Sequence, residues 1–141
     1  MSGKPLAGEI AMTERSILFV CAGNTCRSVM AEAFARRRFG DSARIDSAGL
    51  RPQLAADAVN AIDTLRFEFG IDASAHQPKS AGSINVDEFS EVIAMDKAIA
   101  RELRTRTGRE ITVWDVHDPW GDDPYEYKRC ALKIKALVAK L

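Results

Sequence analysis

One stretch of eight residues carries side chains that together can do covalent chemistry, and it reads Cys21-Ala22-Gly23-Asn24-Thr25-Cys26-Arg27-Ser28. An apolar run over 16–20 precedes it, and an alanine-rich segment with helical spacing follows it. A strand, a short loop and a helix in this order make an anion site, because the loop and first-turn amides are unpaired and the helix dipole is positive there. A cysteine at the end of such a strand is favoured as the thiolate.

The other residues of this loop fit a bound tetrahedral anion. Arg27, six residues after Cys21, supplies a planar cation that matches two oxyanion oxygens. A cation at a helix start opposes the dipole unless an anion binds there, which disfavours a plain surface role. Ser28 can donate to a sulfur anion, while Gly23 and Asn24 tolerate positive φ and close approach. The loop therefore predicts a thiolate nucleophile beneath a phosphate cradle, the alternative being that Cys21 is an inert buried thiol.

Several segments in this order resemble the low-molecular-weight protein tyrosine phosphatase family. The loop and the helix start that follows it carry the first part of the resemblance. Later parts are Ser47-Ala48-Gly49, Gly70-Ile71-Asp72 with His76, Met95-Asp96 and Asp118-Pro119. The resemblance covers about residues 16–141. It implies hydrolysis of phosphotyrosine-type monoesters through a phosphocysteine intermediate, on a phosphorylated protein substrate and without a cofactor.

The resemblance also implies a role for each principal residue. Cys21 is the nucleophile, and Arg27 clamps the phosphate and stabilises the transition state. Asp118 is the general acid, which protonates the leaving oxygen and then activates water; partial burial or the anionic substrate must poise it. From the residues alone, a loop Asp-Pro that only starts a turn explains Asp118 equally well. Asp122 and Asp123 are weaker competitors for the acid.

Supporting roles follow in the same way. The phosphate-binding loop comprises Ala22, Gly23, Asn24, Thr25, Cys26 and Ser28. The resemblance makes His76 a buried brace for Asn24, and Ser47 supports the loop from the neighbouring strand. Trp120 is expected to form a wall of the cleft that stacks on the substrate side chain and excludes phosphoserine, the alternative being a core aromatic.

The other two cysteines leave alternatives open. Cys26 either fits the loop as a compact residue or forms a reversible disulfide with Cys21. Cys130 lies on an apolar helical stripe and is expected to be an inert core thiol. A zinc site formed by these three thiols and His76 matches no recognisable ligand spacing and would consume the nucleophile, so no metal is predicted.

Three departures from the family pattern bear on specificity. Val29 replaces a proline common after the loop, and Lys79 replaces a common arginine. Thr25 stands where the tyrosine-directed branch commonly has isoleucine, and it resembles the bacterial protein-arginine phosphatases of the same fold. Phosphoarginine is therefore the alternative substrate.

Two further classes compete with a phosphatase. Thioredoxin-coupled arsenate reductases share the loop and the fold, but they generally need an additional cysteine pair, and residues 71–100 contain no cysteine. A catalytically silent phosphate-binding module would need neither Cys21 nor Asp118. Inorganic phosphate or another oxyanion is the ligand expected in the loop.

The elements that must position these residues alternate between strand and helix. Strands are predicted at 16–20, 43–48, 91–95 and 110–114, and helices at 28–39, 54–69, 97–107 and 125–141. Four such alternations predict a single-domain α/β fold: a doubly wound, four-stranded parallel sheet with helices on both faces. The family resemblance implies the flavodoxin-like strand order 2-1-3-4. The principal candidates, Cys21, Arg27 and Asp118, follow the carboxyl ends of predicted strands, where such sheets bind ligands.

Composition narrows the class further. The 141 residues carry 20 basic and 20 acidic side chains, so no strong field indicates nucleic acid or a membrane surface. No apolar run is long enough to span a bilayer. Residues 1–15 are expected to be a loose tail, with Met12 as an alternative start, and 16–141 the phosphatase domain. Three cysteines, one of them acting as a thiolate, indicate a reducing compartment and hence the cytoplasm.

Overall fold

The computed structural model describes residues 15–141, which form one α/β sheet structure. Residues 1–14, which include Met12 and all but the last residue of the expected tail, lie outside the described residues. The strands are β1 (Arg15–Cys21), β2 (Ala43–Gly49), β3 (Glu91–Ala94) and β4 (Thr112–Val113). Their order is β2-β1-β3-β4, and every neighbouring pair is parallel. The predicted fold class and strand order are confirmed.

Four α-helices connect and cover the strands. They are α1 (Arg27–Phe39), α2 (Val59–Phe69), α3 (Lys97–Thr107) and α4 (Pro124–Val138). Helix α4 packs against both α1 and α2, whereas α3 packs on β3 and β4. The β1–β2 and β3–β4 connections run in opposite directions from the centre of the sheet. Right-handed crossovers therefore place α1 and α3 on opposite faces.

The core is built on strand β1. Residues 17–20 have no exposed surface, as expected for an apolar run in a parallel strand that is covered on both faces. The apolar spacing of the last helix predicts an inner stripe of Tyr127, Cys130, Ile134, Leu137 or Val138, and Leu141. The first three and Val138 are buried, whereas Leu137 and Leu141 are half-buried. The apolar spacing read from the sequence thus identified both the central strand and the inner face of the last helix.

The second predicted helix differs from the structure at its start and in its buried face. Residues Ala55–Ala58 form a 3-10 turn, and the α-helix begins only at Val59. The apolar spacing predicts one buried stripe of Ala58, Ile62, Leu65 and Phe69. Of these, Ala58 and Leu65 are fully buried, whereas Ile62 and Phe69 are half-buried. Ala61, which lies outside that stripe, is also fully buried.

The fourth strand is shorter than the predicted 110–114. Ladder pairing is confined to Thr112–Val113 at the edge of the sheet. The amides of Trp114 and Val116 nevertheless continue to bond the carbonyl oxygens of Ala94 and Met95, at 2.8 and 3.0 Å. The chain therefore leaves the ladder gradually, and this irregular extension carries the Asp118 loop towards β1.

The centre of the sheet is where a ligand crevice is expected. The chain leaves β1 towards β2 on one side, while β3 continues to β4 on the other, and this divergence opens a gap at the carboxyl ends. Cys21 ends β1 and Asp96 follows β3, so both lie at that gap. In residues 15–141 no helix has the length and apolar character needed to cross a bilayer.

Candidate active site

Cys21 lies at the end of β1, where the loop of residues 21–28 begins, and its sulfur receives two polar contacts. The Asn24 amide donates to Sγ at 3.3 Å, and the Ser28 hydroxyl oxygen lies 2.9 Å from Sγ. Ser28 Oγ already accepts a hydrogen bond from Asn24 Nδ2 at 2.8 Å, which leaves its own proton to point at the sulfur. Two donors facing one sulfur stabilise negative charge on it.

Asn24 shapes the loop through its backbone. Its φ of 57° is the only positive value at a non-glycine residue in the described chain. Asparagine tolerates this left-handed conformation better than most residues do. Gly23 does not have a positive φ. It instead allows a close approach, because a β-carbon at this position would overlap the side chain of Gln53.

The side chain of Asn24 is held on three sides. Its Nδ2 group donates to Ser28 and, at 3.0 Å, to Ser47 Oγ, while its Oδ1 accepts from the Lys79 amide at 3.0 Å. Ser47 in turn donates to Glu32. Ser47 thus contacts the loop from the neighbouring strand, and Lys79 contributes backbone rather than its ammonium group, which pairs with Asp46 at 2.7 Å.

His76 contacts the same residue from the other side. Its Nε2 lies 2.7 Å from the Asn24 carbonyl oxygen, which can only accept, so Nε2 carries the proton. His76 therefore contacts the backbone of Asn24 and not its side-chain amide. The imidazole is half-buried, whereas a buried one was expected. His76 contacts Asn24 and makes no hydrogen bond to Cys21.

We expect Asn24→Ala to lower the free energy of unfolding by roughly 3 kcal/mol, because it removes three hydrogen bonds and leaves a β-carbon in the left-handed region. Asn24→Gly loses the same bonds but tolerates the backbone, and it should be less destabilised by about 1 kcal/mol. Urea unfolding of the wild type and of both variants measures their free energies of unfolding. Equal losses in the two variants would show that the backbone conformation contributes nothing.

Arg27 is a buried cation held by two neighbouring strand ends. Its Nη1 group donates to Asp96 Oδ2 at 2.9 Å and to the Val116 carbonyl at 3.0 Å, and Nη2 lies 3.6 Å from Asp118 Oδ2. Only 4% of its side-chain surface is exposed. Asp96 also caps α3, since its Oδ1 accepts from the Ile99 amide at 2.9 Å. No pattern in the sequence indicated its contact with Arg27.

The charges around Arg27 reinforce one another. Burial alone lowers the pKa of Arg27, but the Asp96 hydrogen bond and nearby Cys21 and Asp118 outweigh it and raise the pKa overall. Burial likewise raises the pKa of Asp96, yet the hydrogen bonds from Ile99 and Arg27 bring it below its usual value. Arg27 and Asp96 are therefore both charged at neutral pH.

One polar atom of Arg27 has no partner. Its Nε–H group is buried and has no hydrogen-bond acceptor within residues 15–141. A buried donor left without an acceptor costs about 1–3 kcal/mol, and more when charged. Arg27 lines the same cavity as Cys21, so an anion bound there can satisfy the guanidinium.

The cavity above the loop has a volume of about 260 Å³ and collects residues from three connections. Asp118 and Trp120 contribute from the loop after β4, and Arg51 and Gln53 contribute from the loop after β2. Trp120 lines the opening with half of its surface exposed, and its amide donates to Asp118 Oδ1 at 3.0 Å. Asn24 and Ser28 do not line this cavity. The residues of the loop that share it with Asp118 and Trp120 are Cys21, Ala22, Gly23, Thr25, Cys26 and Arg27.

Arg51 and Gln53 are cavity residues that the sequence reasoning missed. The side-chain oxygen Oε1 of Gln53 accepts a hydrogen bond from Thr25 Oγ1 at 2.6 Å. The backbone N–H of Gln53 donates to the Gly23 carbonyl at 3.0 Å. Arg51 is held by Glu102 of α3 at 3.1 Å. The available signal was their position just after the carboxyl end of β2, at the edge where the other candidates lie.

Cys26 and Cys130 are buried thiols beside the loop. Burial raises the pKa of Cys26 to about 11 and that of Cys130 to about 12. Cys26 Sγ lies 3.5 Å from the Tyr127 hydroxyl, whose own pKa burial also raises. All three cysteines are free thiols, so the disulfide between Cys21 and Cys26 stays a prediction.

Because the thiolate is the reactive form, iodoacetamide at pH 7 should leave Cys26 and Cys130 unmodified in the folded protein. Alkylation of Cys26 should rise only as the pH approaches about 11, where its thiol ionises. Mass spectrometry of the digested protein locates the label. Protein unfolded in urea is the control, since all three cysteines should then react at the same pH; rapid labelling of folded Cys26 at pH 7 would contradict the buried, protonated state.

A doubly wound parallel sheet with a cysteine, an arginine and an amide-lined loop at its switch point defines a class of cysteine-dependent enzymes that handle oxyanions. The sequence model described as "Low molecular weight phosphotyrosine protein phosphatase" matches residues 16–141. The chain belongs to this family, which includes phosphatases and arsenate reductases.

Individual relatives carry different activities in their names. Arsenate reductase 2 of Staphylococcus haemolyticus is 40% identical over 132 residues, covering 90% of this chain and 95% of the relative. The low molecular weight protein tyrosine phosphatase from T. tengcongensis is 30% identical with a TM-score of 0.81, covering 89% and 96% of the two chains. The YwlE arginine phosphatase from Geobacillus stearothermophilus is 27% identical with a TM-score of 0.80, covering 89% of each.

Proposed function

We propose that this protein is a phosphatase that hydrolyses phosphotyrosine-type monoesters through a phosphocysteine intermediate. The observation that carries the proposal is the buried Arg27 Nε without a partner, in the cavity that also holds Cys21 and Asp118. A phosphoryl group above the sulfur gives this donor an acceptor. Such preorganised donors act most strongly where charge develops in the transition state.

The proposed first step is in-line attack by Cys21 on phosphorus. The S–P bond forms as the P–O bond to the leaving group breaks, while Arg27 and the loop amides hold the equatorial oxygens. Asp118 gives its proton to the leaving oxygen. In the second step Asp118 takes a proton from water, which attacks phosphorus and releases phosphate and the Cys21 thiolate, restoring the acid.

Two features support an aryl substrate. Trp120 lines the cavity and presents half of its surface at the opening, where an aromatic leaving group can stack on it. The nucleophile, with 3% of its surface exposed, lies at the bottom of the cavity. The short stem of phosphoserine reaches such a sulfur less readily than tyrosine does.

Arsenate reduction is a second candidate, favoured by the 40% identity to a protein of that name. In that chemistry the Cys21 sulfur bonds to arsenic, and a second thiol must displace it to release arsenite as a disulfide forms. Arsenic gains two electrons and two thiols lose them. Residues 71–100 hold no cysteine, and Cys26 and Cys130 are buried and protonated at neutral pH. An external thiol such as thioredoxin would have to act directly.

Phosphoarginine is a third candidate, favoured by Thr25 and by the likeness to an arginine phosphatase. The Thr25 hydroxyl is buried and gives its proton to Gln53, so its oxygen can only accept from a further group. An acceptor at this position can orient a protonated nitrogen or a water near the phosphorus. Thr25→Ile, the residue common in the tyrosine-directed branch, should then lower turnover of phosphoarginine more than that of phosphotyrosine.

A side-by-side comparison of phosphotyrosine, phosphoarginine and arsenate separates the three candidates. Each is supplied at matched concentration, with thioredoxin and its reductase present in all arms, and phosphate release or NADPH oxidation is measured. We expect the highest kcat/KM with phosphotyrosine and no arsenate-dependent NADPH oxidation. Preferential turnover of phosphoarginine would reassign the substrate, and oxidation driven by arsenate would replace the phosphatase assignment.

A further inference from the structure

Most of the exposed apolar side chains in the described part of the chain lie on two segments, one of which reaches the catalytic cavity through Trp120. Six large hydrophobic side chains are exposed among residues 15–141, and five of them lie on the two segments 54–67 and 120–125. The five are Leu54, Val59, Phe67, Trp120 and Tyr125. Scattered exposed apolar residues are ordinary, but a group of them around one site marks a surface for another macromolecule.

A groove of about 270 Å³ lies between these two segments. Helix α2 lines it with Asp63, Phe67 and Glu68. Asp122, in the turn before α4, and Pro124, the first residue of α4, line the other side. This volume is below the ~300–1,000 Å³ usual for a small-molecule site. A single side chain of a larger partner suits it better than a free metabolite does.

The charge of the groove is one-sided. Its lining contains three carboxylates and no lysine or arginine. Asp63 makes no ion pair within the described chain, whereas Glu68 is 3.0 Å from Lys128 outside the lining, and Asp122 is 3.4 Å from His117. The exposed aromatic Phe67 borders these carboxylates. A long cationic side chain complements both, its stem on the aromatic surface and its head among the acids.

The groove is continuous with the catalytic cavity. Tyr127 lines the groove, and its hydroxyl lies 3.5 Å from Cys26, which lines the cavity, so the two share a wall. At the surface, Trp120 of the cavity is two residues from Asp122 of the groove. A polypeptide whose phosphorylated residue enters the cavity therefore passes over Trp120 towards the groove.

We propose that the groove between α2 and the start of α4 binds a lysine or arginine side chain of the protein substrate, near the phosphorylated residue. The inference rests on the proposed phosphatase function and adds the substrate class: a phosphorylated polypeptide with a basic residue beside the phosphosite. Charges on such a rim mainly raise the association rate and select among partners. The preference should therefore appear in kcat/KM and weaken as salt is added.

The test uses three phosphotyrosine peptides that differ only in flanking lysines, alanines or glutamates, with p-nitrophenyl phosphate as a substrate that cannot reach the groove. For the full-length wild type at low salt we expect kcat/KM to be roughly tenfold higher for the lysine peptide than for the glutamate peptide. In 0.5 M NaCl the ratio should fall to about two.

The double variant Asp63→Lys/Glu68→Lys should abolish or reverse this preference and leave p-nitrophenyl phosphate turnover within about twofold. The matched control is Asp41→Lys/Glu110→Lys, which makes the same charge change at two exposed residues near the amino edge of the sheet. This control should keep the wild-type preference.

The outcomes separate the two proposals. If the wild-type protein hydrolyses p-nitrophenyl phosphate but has the same kcat/KM for all three peptides, the proposed binding of a basic side chain in the groove is wrong. The proposed phosphatase function is then unaffected. A control variant that loses the preference as fully as the groove variant would also overturn the groove, since net charge alone would then explain the effect. Protein that hydrolyses none of the four substrates would overturn the phosphatase function itself.

Discussion

Cys21→Ser should lower kcat for phosphotyrosine hydrolysis by roughly 10⁴-fold or more, because the variant lacks the sulfur that forms the proposed covalent intermediate. It should still bind inorganic phosphate or vanadate. The donors expected to face the anion remain in place: the loop amides and the Arg27 guanidinium. Steady-state kinetics give the first quantity, and isothermal titration calorimetry with phosphate gives the second.

The matched control is Cys130→Ser, which makes the same atomic change at a buried thiol. Among residues 15–141, this thiol makes one hydrogen-bond contact, to the His117 carbonyl at 3.8 Å. That variant should keep kcat within a few fold, and thermal unfolding of both proteins shows how far the change itself affects stability. Substantial turnover by Cys21→Ser would eliminate the phosphocysteine intermediate. Loss of both turnover and phosphate binding, in a folded variant, would mean that the sulfur shapes the anion site rather than attacking the phosphorus.

Asp118→Asn is the second large effect that we expect. A positioned acid contributes about 10²–10⁴-fold to a step in which a poor leaving group departs. The variant should therefore lose roughly 10²-fold or more in kcat with phenyl phosphate. The loss should be much smaller with p-nitrophenyl phosphate, whose leaving group needs little protonation. Asparagine keeps the size of the side chain and an oxygen for the Trp120 amide.

Asp115→Asn provides the comparison, since Asp115 is an exposed carboxylate three residues earlier on the same irregular segment. It should show wild-type rates with both phosphates. An equal decrease for both substrates in Asp118→Asn would assign Asp118 to holding Arg27, from which it lies 3.6 Å, rather than to proton transfer. The dependence on leaving group thus distinguishes an acid from a positioning carboxylate.

Local patterns were sufficient for most of the fold. The apolar run before Cys21 and the helical spacing through Tyr127, Cys130 and Ile134 correspond to the central strand and the last helix as the structure has them. Errors arose where local signals compete with packing. The first turn of α2 adopts 3-10 geometry, and β4 pairs over only two residues because it lies at the sheet edge.

The residues of the site also fall into two groups: those that the local sequence indicates and those that only the packing brings together. Cys21, Asn24, Arg27 and Ser28 lie in one loop, so their residue types and spacing alone indicated an anion site with a thiol nucleophile. Gln53, in contrast, has no signature of its own, and its bond to the Thr25 hydroxyl joins residues 28 positions apart. Such contacts depend on which strand ends become neighbours, and no local pattern states that.

The sequence, with its family resemblance, therefore predicted the fold class and the strand order. It also predicted an anion-binding loop, because the residues of that loop are consecutive in the chain. Only the tertiary structure decided that Asp96 and the Val116 carbonyl hold Arg27, and that two segments rich in exposed apolar side chains border an acidic groove. The physical reason is the range of the forces involved. Backbone preferences and hydrophobic spacing act between near neighbours in the chain, whereas ion pairs and grooves form between residues that only the packed sheet brings together.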